Sequence, residues 1–318
     1  MKHTTLVFCA SALSAVLAAP TSQIFAPSID QCPPLPRREQ YAASVHDLRP
    51  DDFEVIAGIG DSLMAAVFAR NADTPVVHKD QLNQYPGVSF VMGGDSGQVT
   101  LPNLLQHYSR QDLVGASVGE RPLKTCPDTF FCLEENQQVE DQDHLNAAFG
   151  GATSQAFEGQ IRYLIKHFGK GTPLANKWKM LTVYIGHNDL AVSCMPEYSF
   201  EEYRKRMEAG LQLLKDNVDK VHINLVGLMH IEKIHEVTSS KPGYIRPFED
   251  GSMQIQNYEC VCCLKGQTDT ITRNVPQFDS SLKVLAAKFS DINLSSTFSV
   301  TYQPLKLDLG AVPPEVFR

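Results

Sequence analysis

The sequence predicts an α/β protein built on a parallel sheet with helices on both faces, and three observations carry that prediction. Short apolar runs rich in β-branched residues alternate with longer segments whose apolar residues recur at helical spacing. Three of the apolar runs end in glycine-rich or polar turns, around Gly60, Gly151 and Gly186. The chain, at 318 residues with 43% hydrophobic and 20% charged, is long enough for one sizeable core and too ordinary in composition for disorder. An alternation of this kind closes into a parallel sheet because each crossover helix must pack back onto the strands it joins.

Strands are expected over 53–59, 145–149, 180–186, 221–228 and 297–302, and helices over 62–70, 154–168, 200–217 and 278–289. In the first unit, Val55, Ile56 and Ile59 are β-formers, Gly58 and Gly60 permit a turn with unusual dihedrals, and Leu63 to Phe68 resumes at helical spacing. Ser62 then falls at a helix N-terminus, where unpaired backbone N–H groups favour developing negative charge, as a serine nucleophile needs. Two plainer readings compete. Asp61 or Ser62 simply caps a helix, or Gly58-Ile-Gly60 opens a dinucleotide-binding turn, which fails because the last position of that fingerprint is Leu63 instead of glycine. The long stretch 72–143 is an insertion between the first two strands, expected to wall a cleft. Within it Asp141-Gln-Asp-His144 reads as a solvated loop or strand approach.

Leu145 to Ser154 is a short strand followed by small residues, where Gly151 offers a backbone N–H without side-chain obstruction. The next helix is marked by Ile161, Leu164, Ile165 and Phe168. Trp178 to Leu190 is a buried-strand pattern running into a polar turn, so Asn188 projects an amide donor from a strand's carboxyl end. Taken singly, Asn188-Asp189 is a turn and Gly150-Gly151 a loop. Three such turns in order, each after a strand, point to a ligand site beyond the carboxyl ends of the sheet.

With these residues in place, the chain resembles the GDSL, or SGNH, hydrolase family, and within it the animal phospholipase B branch. The likeness runs from Cys32 to Pro304 through Ser44 to Asp51, Gly60-Asp-Ser-Leu63, Gly93-Gly-Asp95, Leu101 to Leu105, Asn146 to Ala152, Ile185 to Leu190 and Phe298 to Pro304. The resemblance implies a flavodoxin-like three-layer sandwich with a central five-stranded parallel sheet in the order 2-1-3-4-5. It implies an esterase with Ser62 as nucleophile and an oxyanion hole formed by the Ser62 and Gly151 amides and the Asn188 side chain. Phospholipids or lysophospholipids would be the substrates, met at a transiently contacted membrane surface, with no metal or organic cofactor. The family pattern also includes a C-terminal Asp-x-x-His element, which the stretch Leu307 to Arg318 does not contain. The chain is therefore expected to be truncated before its histidine base, which leaves a non-catalytic lipid-binding protein, or an incomplete product that does not fold stably, as alternatives. His187, where a small residue is usual in the family, reads as steric accommodation in preference to a substrate contact.

Lys2 and His3 precede the apolar run Leu6 to Ala18, and small residues follow, which predicts a secretory signal over 1–19. The proline-rich segment 20–43 reads as an extended arm, and 44–318 as a single catalytic domain without internal repeats. A net charge of -8 argues against a nucleic-acid partner. Removal of Cys9 with the leader leaves seven cysteines, an odd number in an oxidising compartment. The resemblance implies two explanations: relatives carry a cysteine beside the C-terminal histidine expected to be absent here, or Cys194 has lost a partner that relatives place where this chain has Ala191. Cys260-Val-Cys-Cys263 is expected to form disulfides in preference to a zinc site, and Asn293-Leu-Ser295 is an N-glycosylation sequon.

Overall fold

The computed structural model describes residues 26–70, 83–124, 137–241, 259–293 and 295–313. The expected signal segment 1–19, with Cys126 and Cys132, lies outside them. The chain divides into a small unit, Met1–Pro34, whose described part holds one 3-10 turn at Ile29–Gln31, and a compact unit, Leu35–Arg318. The second unit carries everything that follows.

Its sheet has four parallel strands in the order β1 (Val55–Gly60), β4 (Lys179–Tyr184), β5 (Val221–Val226) and β6 (Phe298–Gln303). Register runs Val55 against Lys179, Lys179 against Val221, and Val221 against Phe298, so the four carboxyl ends form one rim. Strand alternation assigns the faces. Val55, Ala57 and Ile59 of β1, with Val221, Ile223 and Leu225 of β5, enter the main core. That face is covered by α3 (Phe157–Phe168) and α5 (Phe200–Asn217), and by the long helix that precedes β6. Ile56 points the other way, onto Met64, Val91, Met92 and Leu105 of the 62–108 segment and α1 (Leu101–Tyr108). On that second face the β5 residues His222, Asn224 and Val226 are only half-buried.

The helix expected over 200–217 stands at those bounds, and the one over 154–168 is a 3-10 turn, Ser154–Ala156, leading into α3. Four expectations are corrected. The helix expected over 278–289 begins at Thr268 and runs through Pro276, because Ile271, Val275, Phe278, Leu282 and Leu285 form one buried stripe whose packing outweighs the proline. The strand expected over 145–149 sits on the open side of β1, in its expected place in the order, but contracts to a bridge between Gly58 and Asn146. Asn146 turns its own Oδ1 back to accept from the Ala148 N–H (3.2 Å), and Ala147 gives its carbonyl to Gln138 Nε2 (2.7 Å). Asp143 is not solvated. It ends the short helix α2 (Glu140–Asp143), fully buried against Arg121 at 2.7 Å, and burial raises its pKa although the arginine opposes the shift.

The fourth correction bears on the site. No helix follows Ser62; residues 62–66 form turns. The Ala65 N–H reaches the Asp61 carbonyl (3.0 Å) and the Val67 N–H the Ser62 carbonyl (3.0 Å), while Ala66 and Phe68 take positive φ. The physical reason is a competing partner. The Phe68 N–H donates to Asn83 and the Tyr85 N–H to Ala66, so the segment is captured as an antiparallel bridge beside the two-residue strand β2 (Asn83–Gln84), which itself pairs with β3 (Arg121–Pro122).

Candidate active site

Ser62, half-buried, stands one turn beyond the carboxyl end of β1. What holds that end of β1 is a glutamine. A parallel neighbour would continue past Gly58, but the Gln160 side-chain amide takes its place. The Gly60 N–H donates to Gln160 Oε1 and Gln160 Nε2 donates to the Gly60 carbonyl, both at 2.9 Å and both buried. Gln160 sits on the buried stripe of α3 with Phe157, Ile161 and Leu164, and a lone amide in an apolar stripe at helical spacing was the sequence signal for its role.

Asp61 is fully buried, accepting from the Leu63 N–H (3.0 Å) through Oδ1 and from His187 Nδ1 (3.2 Å) through Oδ2. His187 opens α4 (His187–Ala191), and its Nε2 accepts from the Met229 N–H at 3.3 Å. The ring is thereby fixed as the Nδ1–H tautomer. Sequence reasoning treated His187 as accommodation; it is a buried bridge from the Ser62 turn to the loop after β5. Gly186 before it has φ +132°, and a Cβ there would meet Tyr203 and Leu228 at 2.9 Å, so the turn into α4 requires glycine.

The Gly151 turn is tied to the same helix. Asn188 Nδ2 donates to the Ala152 carbonyl at 2.8 Å, and Asp189 accepts from the Ser154 N–H at 2.8 Å and from its hydroxyl at 2.5 Å. Asp189 is wholly buried, which pushes its pKa up to about 6 against the lowering effect of those bonds. Gly151 itself has φ +77°. The turns carrying Ser62, Gly151 and Asn188 are therefore joined pairwise: Asp61 to His187, Asn188 to Ala152, and Gly60 to the helix that follows Gly151.

Donor inventory completes the geometry. Among the described residues, the Ser62 N–H, the Ser62 hydroxyl and the Gly151 N–H have no hydrogen-bond partner. The Asn188 amide has two N–H groups, and Ala152 occupies one. Three donors and one uncommitted hydroxyl are thus open on the turns that follow the strands, the kinds of group that acyl-transfer chemistry draws on. Leu63 and Phe90 are exposed beside them, with Phe90 packed edge-on against Tyr184 (5.6 Å) and Tyr184 against His187 (4.5 Å). No group of His, Cys, Asp and Glu among the described residues is arranged to hold a metal ion.

Cysteine pairing behind the site corrects one expectation. Cys194 has a partner, Cys262, and Cys260 bonds Cys263, anchoring the segment after α4 to the short helix Val261–Leu264, which precedes the long helix Thr268–Phe289.

Residues 56–310 match the model of a family described as GDSL-like lipase/acylhydrolase. The chain is 33% identical over 210 residues to membrane-associated phospholipase B1 of Mus musculus, covering 64% of this chain and 13% of that protein. It is 31% identical over 242 residues to the Homo sapiens protein of the same name, covering 74% of this chain and 15% of that one. The chain thus spans under a sixth of the length of these relatives. A crystal structure of protein YXIM from Bacillus subtilis overlaps 78% of this chain and 51% of its own at 14% identity, with a TM-score of 0.26.

Proposed function

This chain belongs to the GDSL-like lipase/acylhydrolase family, and from that premise we propose that it is a serine esterase hydrolysing acyl esters of phospholipids or lysophospholipids. The observation that carries the reading is the set of open donors on the carboxyl rim: the Ser62 and Gly151 amides and the second N–H of Asn188, beside an uncommitted Ser62 hydroxyl. Ser62 Oγ attacks the ester carbonyl, the carbonyl π electrons pass to oxygen, and the three donors hold that charge. Such donors lower the barrier because they are aimed before reaction and need no reorganisation. Loss of the expected helix removes the macrodipole contribution at Ser62, so the Asn188 amide carries more of the charge than the sequence suggested.

The lipid substrate class is supported by the phospholipase relatives and by the exposed Leu63 and Phe90, which offer an acyl chain apolar contact beside the nucleophile. Two disulfides suit a secreted or lumenal protein, which is the compartment we infer, with the membrane met only at its surface. Gly151, Asn188 and Ser62 are the residues assigned to chemistry, and no cofactor is required.

The test is hydrolysis of lysophosphatidylcholine by the chain and by Ser62→Ala. Turnover is expected to fall at least about 1000-fold in the variant with an unchanged thermal melt. Equal turnover in both overturns the assignment. Lipid retention without any Ser62-dependent turnover selects the lipid-binding alternative.

A further inference from the structure

We propose that the segment Pro86 to Ser109, with Leu63 beside it, is the face by which the chain docks on a zwitterionic lipid surface; the inference rests on the esterase reading above and names where the lipid is met. Phe90 places the segment at the site. Its ring packs on Tyr184, Tyr184 on His187, and His187 bonds Asp61, the residue before the nucleophile. The Phe90 carbonyl accepts from the Leu101 N–H at 2.9 Å, which brings the turn carrying Val99 against it. Val99 is 87% exposed, the most of any large apolar side chain among the described residues, and Phe90 (49%), Leu63 (38%) and Leu104 (36%) are exposed with it.

The plainer reading is the ordinary scatter of apolar residues over a protein surface, and charge argues against it. Charged residues make up 20% of the chain, yet Asp95 is the only Asp, Glu, Lys or Arg between Pro86 and Ser109. That single carboxylate is committed, since its Oδ1 accepts from the Gly119 N–H at 2.9 Å. Elsewhere exposed apolar residues keep charged company. Val284 and Ile292, the other large apolar side chains more than half exposed among the described residues, stand next to Lys283 and Asp291.

The exposure is also held in place. Asn103 Nδ2 donates to the carbonyls of Asp95 and Gln98, both at 2.9 Å, and the Thr100 hydroxyl donates to the Gly93 carbonyl at 2.5 Å. The Asp95 N–H reaches the Gly87 carbonyl at 3.0 Å, and the Gly94 N–H the Ser117 carbonyl at 2.7 Å. A turn so fully bonded holds its tip outward, and Val99 stays in water until an apolar surface covers it.

A lipid surface fits this patch better than a protein does. Stable protein interfaces use about 20 or more residues a side, and four exposed apolar side chains fall short of that. A phosphatidylcholine surface carries no net charge to be matched, and anchoring to it scales with the apolar area inserted. The chain's own net charge of -8 tells against an anionic surface. Docked by this face, the chain receives a lipid at Ser62 without that lipid crossing bulk water.

The experiment uses the Ser62→Ala chain, so that hydrolysis does not alter the bilayer, with a fluorescent reporter added by Val99→Trp or, at the amino end of the sheet, by Ile292→Trp. The chain's one native tryptophan, Trp178, is buried and gives a constant background. Each variant is titrated with vesicles of phosphatidylcholine brominated in its acyl chains, at low and high salt. We expect emission to be quenched and blue-shifted in Val99→Trp and unchanged in Ile292→Trp, with an affinity that salt alters less than about twofold. Val99→Ser, with an unchanged thermal melt, should sediment with the vesicles about tenfold more weakly. Absence of quenching in Val99→Trp, equal quenching in both variants, or binding that requires phosphatidylserine and is lost in high salt overturns the inference. So does a dimer that Val99→Ser dissociates and that does not bind vesicles. Ser62 labelling by a fluorophosphonate in the unsubstituted chain reads the nucleophile separately: labelling without docking defeats this inference and leaves the esterase reading standing, whereas docking without labelling upholds the surface and selects the lipid-binding alternative.

Discussion

The two ends of the sheet treat buried polar groups in opposite ways. At the amino end, Lys179 opens β4 fully buried, and its Nζ donates to the carbonyls of Ala175, Lys177 and Asp219 at 2.7–2.9 Å. Just before β1, Asp51 and Asp52 are buried among Arg38, Arg49 and Arg110. Burial pushes the Asp51 carboxyl up, but Arg110 and Arg49 outweigh it and hold it below the usual range. The buried charges there are spent on folding. At the carboxyl end, amides at Ser62 and Gly151, the Ser62 hydroxyl and Glu232 Oε2 stay without partners among the described residues. Buried or half-buried groups are ordinarily satisfied, so open groups on the Ser62 and Gly151 turns are what the proposed esterase reading needs there.

Three substitutions or titrations sharpen that contrast. The largest effect is expected at Asn188: replacement by Ala should lower kcat on a lysophospholipid about 100- to 1000-fold with KM little changed, as read from steady-state kinetics. A fall in stability without a fall in kcat would move Asn188 to the structural side. Next, Lys179→Met should leave Ser62 labelling unchanged but lower the urea midpoint, by about 2–4 kcal/mol of stability, because three carbonyls lose their donor. A labelling defect there would break the division between the ends.

The smallest effect is a pH dependence. Burial raises the Asp189 carboxyl from 3.8 to about 6, so between those values the folded chain binds a proton that the unfolded chain does not. Its contribution to stability is fully present below pH 3.8 and lost as pH rises through 6, on the order of 3 kcal/mol in total. Thermal melts across that window should therefore decline in the chain and flatten in Asp189→Asn. A melt whose slope Asp189→Asn does not alter would mean that the carboxyl stays charged throughout.

Local pattern made much of this legible. Short apolar runs rich in β-branched residues announced β1, β4, β5 and β6, and the turns at Gly60, Gly151 and Asn188 were readable because each follows such a run. What failed to show was decided by partners distant in the chain. Residues 62–68 carry helical spacing, yet the edge offered by Asn83 and Tyr85 wins the backbone. Asp143 sits in an acidic run, yet Arg121 draws it inside. His187 looks like a loop residue until Asp61 is found beside it. No window of sequence contains both members of these pairs, and charge or spacing alone does not announce them.

The Gln160 amide carries an evolutionary consequence. It completes the ladder of β1 from a helix, so the depth at which that helix enters the fold governs where the serine loop sits. Adding or deleting one residue between Gly151 and Gln160 would swing position 160 through roughly 100° of helical rotation, taking both amide bonds from Gly60. Divergent chains of this architecture are accordingly expected to keep that interval at constant length, whatever they do to the surface loops around it.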